Sequence, residues 1–292
     1  MNDQSPVVVG IDGSEEPKLA VRWALDEARA QHLPVRLVYA FGGALTYGSM
    51  AMYGNLPQPN IDTVRVAARK ILADAARDAA EMAPDVELST DAYDGDPAPV
   101  LLAESKHAST VVLGSRRLGA AGSALLGSVG NAVSARASCP VVVVRGPAGD
   151  PAERAAVVVG VDAREDSPAV LAYAFGYASR HDAPLRAVLC WHVDLLAEIM
   201  WSPTPPAPPK AEAWLSEALA GWREKYPDVT VHGGVVRERA VAGLVAESAA
   251  QRLLVVGSHG RHALAGTLLG SVSQGVLHHA TCPVAVVPLH SD

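Results

Sequence analysis

The sequence of 292 residues is poor in cysteine and in aromatic residues, and it has no long apolar run. No window reaches the ~18–20 apolar residues needed to cross a bilayer. The N-terminal MNDQSP also has neither the basic region nor the apolar core of a signal peptide. The three cysteines, Cys139, Cys190 and Cys282, have no C-x-x-C spacing, and their odd number is typical of buried, unpaired thiols in a reducing compartment. We therefore expect a cytoplasmic protein without a membrane partner.

Basic charge is also scarce. The chain has 24 Lys and Arg against 31 Asp and Glu, a formal charge of −7 and a pI near 5.8. No run of basic residues of the kind that follows a phosphate backbone is present. This composition argues against DNA or RNA as a partner.

What the sequence does have is a pattern that occurs twice. VVVGIDGS at Val7–Ser14 returns as VVVGVDAR at Val157–Arg164, and the glycine-rich segment Val111–Gly130 returns as Leu254–Ser273. Each copy has about 145 residues, enough for one domain with its own core. Two domain-sized copies also argue against a solenoid, whose repeats are shorter and more numerous.

The segment Arg145–Ala156 is rich in Pro, Gly, Ala and charge and has no apolar periodicity, which predicts a surface linker. We accordingly predict two domains, 1–147 and 148–292. In each, short apolar runs alternate with helical patterns such as Ile61–Ala83, which predicts an α/β fold with a doubly wound parallel sheet. The predicted strands are Val7–Ile11, Val35–Phe41, Val86–Ala92, Thr110–Gly114 and Val141–Val144, then Val157–Val161, Leu185–Trp191, Val229–Val236, Leu253–Gly257 and Val284–Val287.

The glycine-rich segment of the second copy is suited to binding phosphate. Gly257, Gly260 and Gly270-Ser271 form a G-x2-G-x9-G-S pattern after a strand and before a helical run. Glycines let backbone N–H groups approach an anion, and a helix N-terminus adds unpaired donors and partial positive charge. Ser271 could contact a phosphate oxygen or cap its helix. The pattern is neither a Walker A loop nor the dinucleotide G-x-G-x-x-G.

With this loop, the G-[IV]-D at Gly10–Asp12 and Gly160–Asp162, and the closing CPV at Cys139–Val141 and Cys282–Val284, the chain resembles the universal stress protein family, in its tandem two-domain form. The resemblance implies five-stranded parallel sheets of order 3-2-1-4-5. It also implies that ATP, with Mg²⁺, binds beyond the carboxyl ends of the first and fourth strands, where ligands bind in such sheets.

The resemblance also assigns the nucleotide-binding residues. The strand-end aspartates would lie by the adenosine, although a turn or capping carboxylate is the alternative for each, and Asp194 is either a ribose contact or a solvated loop charge. In the first copy the assigned residues are Gly10, Asp12, Gly114, Ser115, Arg116, Arg117, Gly119, Gly127, Ser128 and Val129. In the second they are Gly160, Asp162, Asp194, Gly257, Ser258, His259, Gly260, Arg261, His262, Gly270, Ser271 and Val272.

The first copy departs from the family pattern where Arg117 replaces the second glycine of G-x2-G. Arg117 could bind phosphate through its guanidinium or obstruct the approach of the backbone. In the second copy Ala163-Arg164 replaces Gly13-Ser14. Our hypothesis is that both copies bind nucleotide, the second more reliably than the first.

Catalysis is not indicated. His259 and His262 are the candidate bases of the second copy, but Arg116 and Gly119 stand at these positions in the first, and hydrolysis requires a positioned base or water. We assign no catalytic residue and no protein-ligated metal. Three functions remain open: a nucleotide-dependent regulator of stress response or growth acting on an unidentified protein partner, which we favour, a slow ATP hydrolase, or an interaction module with structural nucleotide.

Assembly can be predicted only from the resemblance. In this family the last strand, here Val141–Val144 and Val284–Val287, commonly pairs domains, as an unpaired strand edge is suited to do. A homodimer of whole chains is expected on the same ground.

Overall fold

Valine-rich strands alternate with helices in both halves of the chain in the computed structural model. The structure divides the chain into two units, Met1–Arg145 and Gly146–Asp292. The residues that the structure describes are 5–13, 17–42, 61–117, 124–145, 156–162, 168–191, 208–258 and 269–289.

The first unit is a parallel sheet of five strands in the order β3-β2-β1-β4-β7, with an additional two-residue hairpin, β5-β6. Its elements are β1 (Val7–Ile11), α1 (Pro17–Gln31), β2 (Val35–Gly42), α2 (Ile61–Met82), β3 (Leu88–Gly95), α3 (Pro97–Glu104), β4 (Thr110–Gly114), β5 (Arg116–Arg117), β6 (Ala124–Leu125), α4 (Ser128–Arg136) and β7 (Val141–Val144).

The second unit has the parallel order β10-β9-β8-β11-β12. Its elements are β8 (Val157–Gly160), α5 (Pro168–Arg180), β9 (Leu185–Cys190), α6 (Pro208–Lys225), β10 (Val231–Val236), α7 (Ala240–Glu247), β11 (Leu253–Gly257), α8 (Ser271–His279) and β12 (Val284–Val287). Counted within each unit, both orders are 3-2-1-4-5. The predicted fold class is therefore confirmed.

Two strands begin later than predicted because an apolar residue is used in the preceding turn. Val86 and Val229 were predicted to begin strands, but the N–H of Val86 donates to Ala83 O and that of Val229 to Tyr226 O, both at 3.2 Å. Each valine therefore closes the turn after its helix, and the strand begins two residues later. The β5-β6 hairpin was not predicted.

The central strands are buried on both faces. Val7, Val8 and Val9 of β1 are 0% exposed, as are Val157, Val158 and Val159 of β8. Near-continuous apolar runs are what a parallel sheet covered by helices requires. Among the described helices, none is both long enough and apolar enough to cross a membrane.

A glycine near the end of the first strand of each unit allows the third helix of that unit to pack closely on the sheet. A β-carbon built on Gly10 would lie 2.8 Å from Leu113 Cδ2 and 3.3 Å from Leu101 Cδ1 of α3. A β-carbon on Gly160 would lie 3.0 Å from Leu244 Cδ1 of α7. The strand-end glycine therefore has a packing role in both units.

An ion pair also recurs in both units. Arg36 Nη1 of β2 lies 3.3 Å from Glu104 Oε2 at the end of α3, and Arg186 of β9 pairs in the same way with Glu247 of α7. In the first unit Tyr93 OH also donates to Glu104 Oε1 at 2.7 Å, which raises the pKa of Tyr93 to about 12. These contacts fasten the third helix of each unit to its sheet.

We predict that Gly160→Val destabilises the protein, whereas Gly234→Val does not. The first variant forces methyl groups against Leu244, and overpacking of this kind costs about 1–3 kcal/mol. The second places valine on edge strand β10, where no atom lies within 4 Å of the added β-carbon and where valine is a good strand former. Chemical denaturation of both variants checks this, and equal midpoints would contradict the packing role.

Candidate functional site

The register of the parallel strands brings an aspartate and a serine together in each unit. Gly10 of β1 pairs with Leu113 of β4, so Asp12 and Ser115 follow at neighbouring positions beyond the two strands. Val159 of β8 pairs with Val255 of β11, and two strands in register are about 4.8 Å apart. Counting on from these pairs puts Asp162 and Ser258 at equivalent positions beyond the carboxyl ends of the two strands.

Burial separates the two members of each pair. Asp12 and Asp162 are exposed, whereas Ser115 is 7% and Ser258 2% exposed. The carboxylates therefore lie at the surface of the sheet edge, and the serines are part of the structure beneath it.

Helix α8 begins against this sheet edge. Its N-cap residue is Gly270, whose N–H donates to Ser258 O at 2.9 Å. Among the described residues, no side chain caps this N-terminus, and Ser271 is exposed at the first helical position. The alternative that Ser271 caps the helix is therefore wrong, because the cap is the glycine before it. The open N–H groups and the positive end of the helix dipole therefore lie at the carboxyl edge of the sheet.

The corresponding helix of the first unit, α4, also begins after a glycine. Gly127 is its N-cap with extended backbone, and no described side chain caps it. Ser128 is exposed and Val129 is half-buried, as their counterparts Ser271 and Val272 are. Both units therefore have an uncapped helix N-terminus at the position where the sequence predicted phosphate binding.

Two buried serines hold the second site together. Ser258 N–H donates to Val287 O at 2.8 Å, and Ser258 Oγ accepts from the N–H of Leu289 at 3.1 Å. Ser273, in the first turn of α8 and 4% exposed, donates from Oγ to Gly257 O at 2.5 Å. Ser273 was not predicted, because a serine inside an amphipathic helix carries no signal of its partner on a strand.

Gly257 is needed at the end of β11 because Leu289 covers it. A β-carbon at this position would lie 2.9 Å from Leu289 Cδ1. Gly114 is half-buried at the same position of β4, and the N–H of Ser115 after it donates to Val144 O at 3.1 Å.

Gly13 is a further residue at the first site. Its φ of +78° is one that side chains rarely adopt, and an added β-carbon would lie 3.0 Å from Ile71 Cδ1. It turns the chain directly after Asp12. The signal available in the sequence was a glycine following a strand-end aspartate.

Other predicted residues cannot be placed. Arg116 and Arg117 form β5, which pairs antiparallel with β6, but only their backbone is described. Gly119, Asp194, His259, Gly260, Arg261 and His262 lie outside the described residues, as do residues 146–155 of the predicted linker. Among the residues that are described, no group of three or more His, Cys, Asp and Glu could hold a metal ion.

The comparisons with known proteins agree with the fold and extend over the chain. The family model described as universal stress protein family matches residues 5–145 and again 154–288. The universal stress protein Rv2005c of Mycobacterium tuberculosis is 38% identical over 291 residues, which covers 97% of each chain. The chain therefore belongs to the universal stress protein family, with two copies of its domain.

Solved structures match as well. A universal stress protein from Archaeoglobus fulgidus superposes with a TM-score of 0.71 over 98% of this chain and 99% of its own, at 17% identity, which supports the fold. A universal stress protein solved in complex with cAMP is 30% identical and covers 46% of this chain and 95% of its own, with a TM-score of 0.34.

The cysteines are structural. Cys139 and Cys282 are buried and Cys190 is half-buried, and none of the three is in a disulfide. Burial raises the pKa of the Cys139 thiol from 9.0 to about 12 and that of Cys190 to about 11. A raised thiol pKa leaves less of the reactive thiolate at neutral pH.

We therefore predict slow reaction of the native thiols with a disulfide reagent at pH near 8. A shift of three pKa units lowers the thiolate fraction about a thousandfold, so Cys190 should react before Cys139, and both far more slowly than in denaturing guanidinium. Cys190→Ser identifies the faster phase. A rapid stoichiometric reaction of the native chain would contradict the burial of these thiols.

Proposed function

We propose that each half of this universal stress protein binds an adenine nucleotide, ATP with Mg²⁺, and that the chain acts as a nucleotide-dependent regulator of stress response or growth. The observation that supports this most directly is the contact of the α8 N-terminus with Ser258, which follows β11 at the sheet edge where the exposed Asp162 follows β8. Donors suited to an anion and a carboxylate that accepts hydrogen bonds therefore lie at the same edge of the sheet.

The two groups suit different ends of a nucleotide. Backbone N–H groups at a helix N-terminus bind phosphate oxygens. A carboxylate beside the phosphates would repel them, so we assign Asp162 to the uncharged part of the ligand, where ribose hydroxyls or the adenine amino group can donate to it. Asp12 and the N-terminus of α4 have the same roles in the first half. Mg²⁺ would be held chiefly by the phosphate oxygens and water, with charge neutralisation as its contribution.

We propose regulation rather than catalysis. What the two copies share is the aspartate, the buried serine and the uncapped helix, all of which are suited to binding. In a regulator, ATP acts by binding one state of the protein better than another and so changes the population that a partner meets. Turnover abolished by Asp12→Asn or Asp162→Asn, with nucleotide binding retained, would instead favour the ATP hydrolase.

The first experiment is to denature the purified chain and quantify any released nucleotide by chromatography, followed by calorimetric titration of the emptied protein with Mg-ATP. Two adenine nucleotides per chain support a site in each half. One nucleotide per chain would reject binding in one of the halves. If no nucleotide is released and titration gives no heat, only the interaction module remains as a function.

A charge at the helix cap gives a sharper test of the phosphate position. Gly127→Asp introduces a good N-cap residue into open space, since no atom lies within 4 Å of the new β-carbon. It also places a negative charge at the proposed phosphate position. We predict a roughly tenfold or greater loss of ATP affinity at the first site, with unchanged or slightly higher stability.

Gly127→Asn is the matched control, because it caps the helix equally well without a charge. It should retain more affinity than the aspartate variant. Gly270→Asp and Gly270→Asn form the same pair for the second half. Equal effects of Asp and Asn would contradict a phosphate at this helix N-terminus.

A further inference from the structure

The two halves start their proposed phosphate-binding helices differently. In the second half two hydrogen bonds join the start of α8 to the end of β11, one from the N–H of Gly270 to Ser258 O and one from Ser273 Oγ to Gly257 O. Both serines are at least 96% buried. Water therefore competes little for these bonds, and the start of the helix is fixed to the strand.

The first half cannot form the side-chain bond. Gly130 stands where the second half has Ser273, and it has no hydroxyl to donate. A β-carbon there would lie 2.3 Å from Leu126 Cδ1. Leu126, which is 6% exposed, therefore fills the space that the side chain would need.

The backbone bond also lacks a counterpart in the first half. Among the described residues, Gly127 and Ser115 share no hydrogen bond, although they match Gly270 and Ser258. Instead, Asn131 Nδ2 donates to Leu126 O at 3.4 Å, which holds the incoming chain to α4 rather than to the strand. The start of α4 is therefore fastened to its own approach segment, and the start of α8 to the sheet.

We propose that Ser273 is a positioning residue that fixes the α8 N-terminus at the sheet edge before a nucleotide arrives, so that the second half binds the phosphates more tightly than the first. This inference rests on the proposed nucleotide binding. A donor group already held in its binding geometry does not have to be ordered by the ligand. The entropy cost of binding is therefore smaller and the affinity higher. The second half is the high-affinity site, and the first fills at higher nucleotide concentration.

Calorimetric titration of the full chain with Mg-ATP tests the inequality first. We expect two classes of site in the wild type. Gly270→Asp should remove the tighter class, and Gly127→Asp the weaker one. Two equal sites, or loss of the tighter class in Gly127→Asp, would overturn the proposal while leaving nucleotide binding established. No heat with either half intact would reject the proposed function itself.

Ser273→Ala then tests the residue. In the Gly127→Asp background, where the second site is measured alone, we expect it to lower ATP affinity about three- to tenfold, as removal of one buried hydrogen bond implies. Affinity for adenosine, which has no phosphate, should stay unchanged. A structural role alone would lower both affinities together, so an unchanged ratio of ATP to adenosine affinity would overturn the assignment.

Ser248→Ala is the matched control in the same unit. Ser248 is 0% exposed, and its Oγ donates to Val245 O at 3.0 Å at the end of α7, away from the sheet edge. Its removal should cost similar stability and leave both affinities as they were. If Ser248→Ala lowered the ATP affinity as much as Ser273→Ala, general destabilisation would account for the effect and the proposal would fail.

Discussion

The register between the first and fourth strands of each unit is the constraint on which the rest depends. Because β1 pairs with β2 on one side and β4 on the other, the chain connections leave these strands in opposite directions across the sheet. In open α/β sheets, ligands bind outside the carboxyl ends of the strands at such a reversal. That pairing places Asp12 and Ser115 at the same edge of the sheet, although their positions in the sequence differ by 103.

The glycines at this edge meet two requirements. They let apolar side chains pack closely on the backbone, and glycine also allows a ligand to approach the backbone closely. Gly10 and Gly160 let Leu101 and Leu244 pack on the strand, and Gly257 makes room for Leu289. Glycines of the proposed ligand-binding motif therefore have apolar side chains as their immediate contacts. Packing and ligand binding both favour glycine at the same positions.

The fold was largely predictable because its signal is local. A run of valines between helical patterns identifies a buried parallel strand without knowledge of its neighbours. Strand ends were harder, because Val86 and Val229 are equally apolar whether they pair in a sheet or close a turn. Gly13 and Ser273 were missed for a different reason. Backbone dihedral angles and a bond between Ser273 and Gly257 depend on the assembled geometry, and neither leaves a periodic pattern in the sequence.

Contacts that stabilise the fold are present in both copies. Each copy needs its own third helix fastened to its own sheet, and the pairs Arg36–Glu104 and Arg186–Glu247 are kept. Both copies also join the first helix to the turn before the third strand by a side-chain hydrogen bond, but with different residues. Arg29 binds Asp85 in the first copy, and Ser179 Oγ donates to Asp228 in the second.

At the proposed phosphate position the copies diverge further, because a serine bonded to the strand is replaced by a glycine covered by leucine. Residues of a contact that stabilises the fold can change only if the contact itself is kept, since each unit must bury its own core. A contact at the binding site can be lost in one copy while the other copy keeps it. After a duplication, the two sheets therefore stay alike because each must fold. The residues at their carboxyl edges can diverge, and with them the affinity for nucleotide.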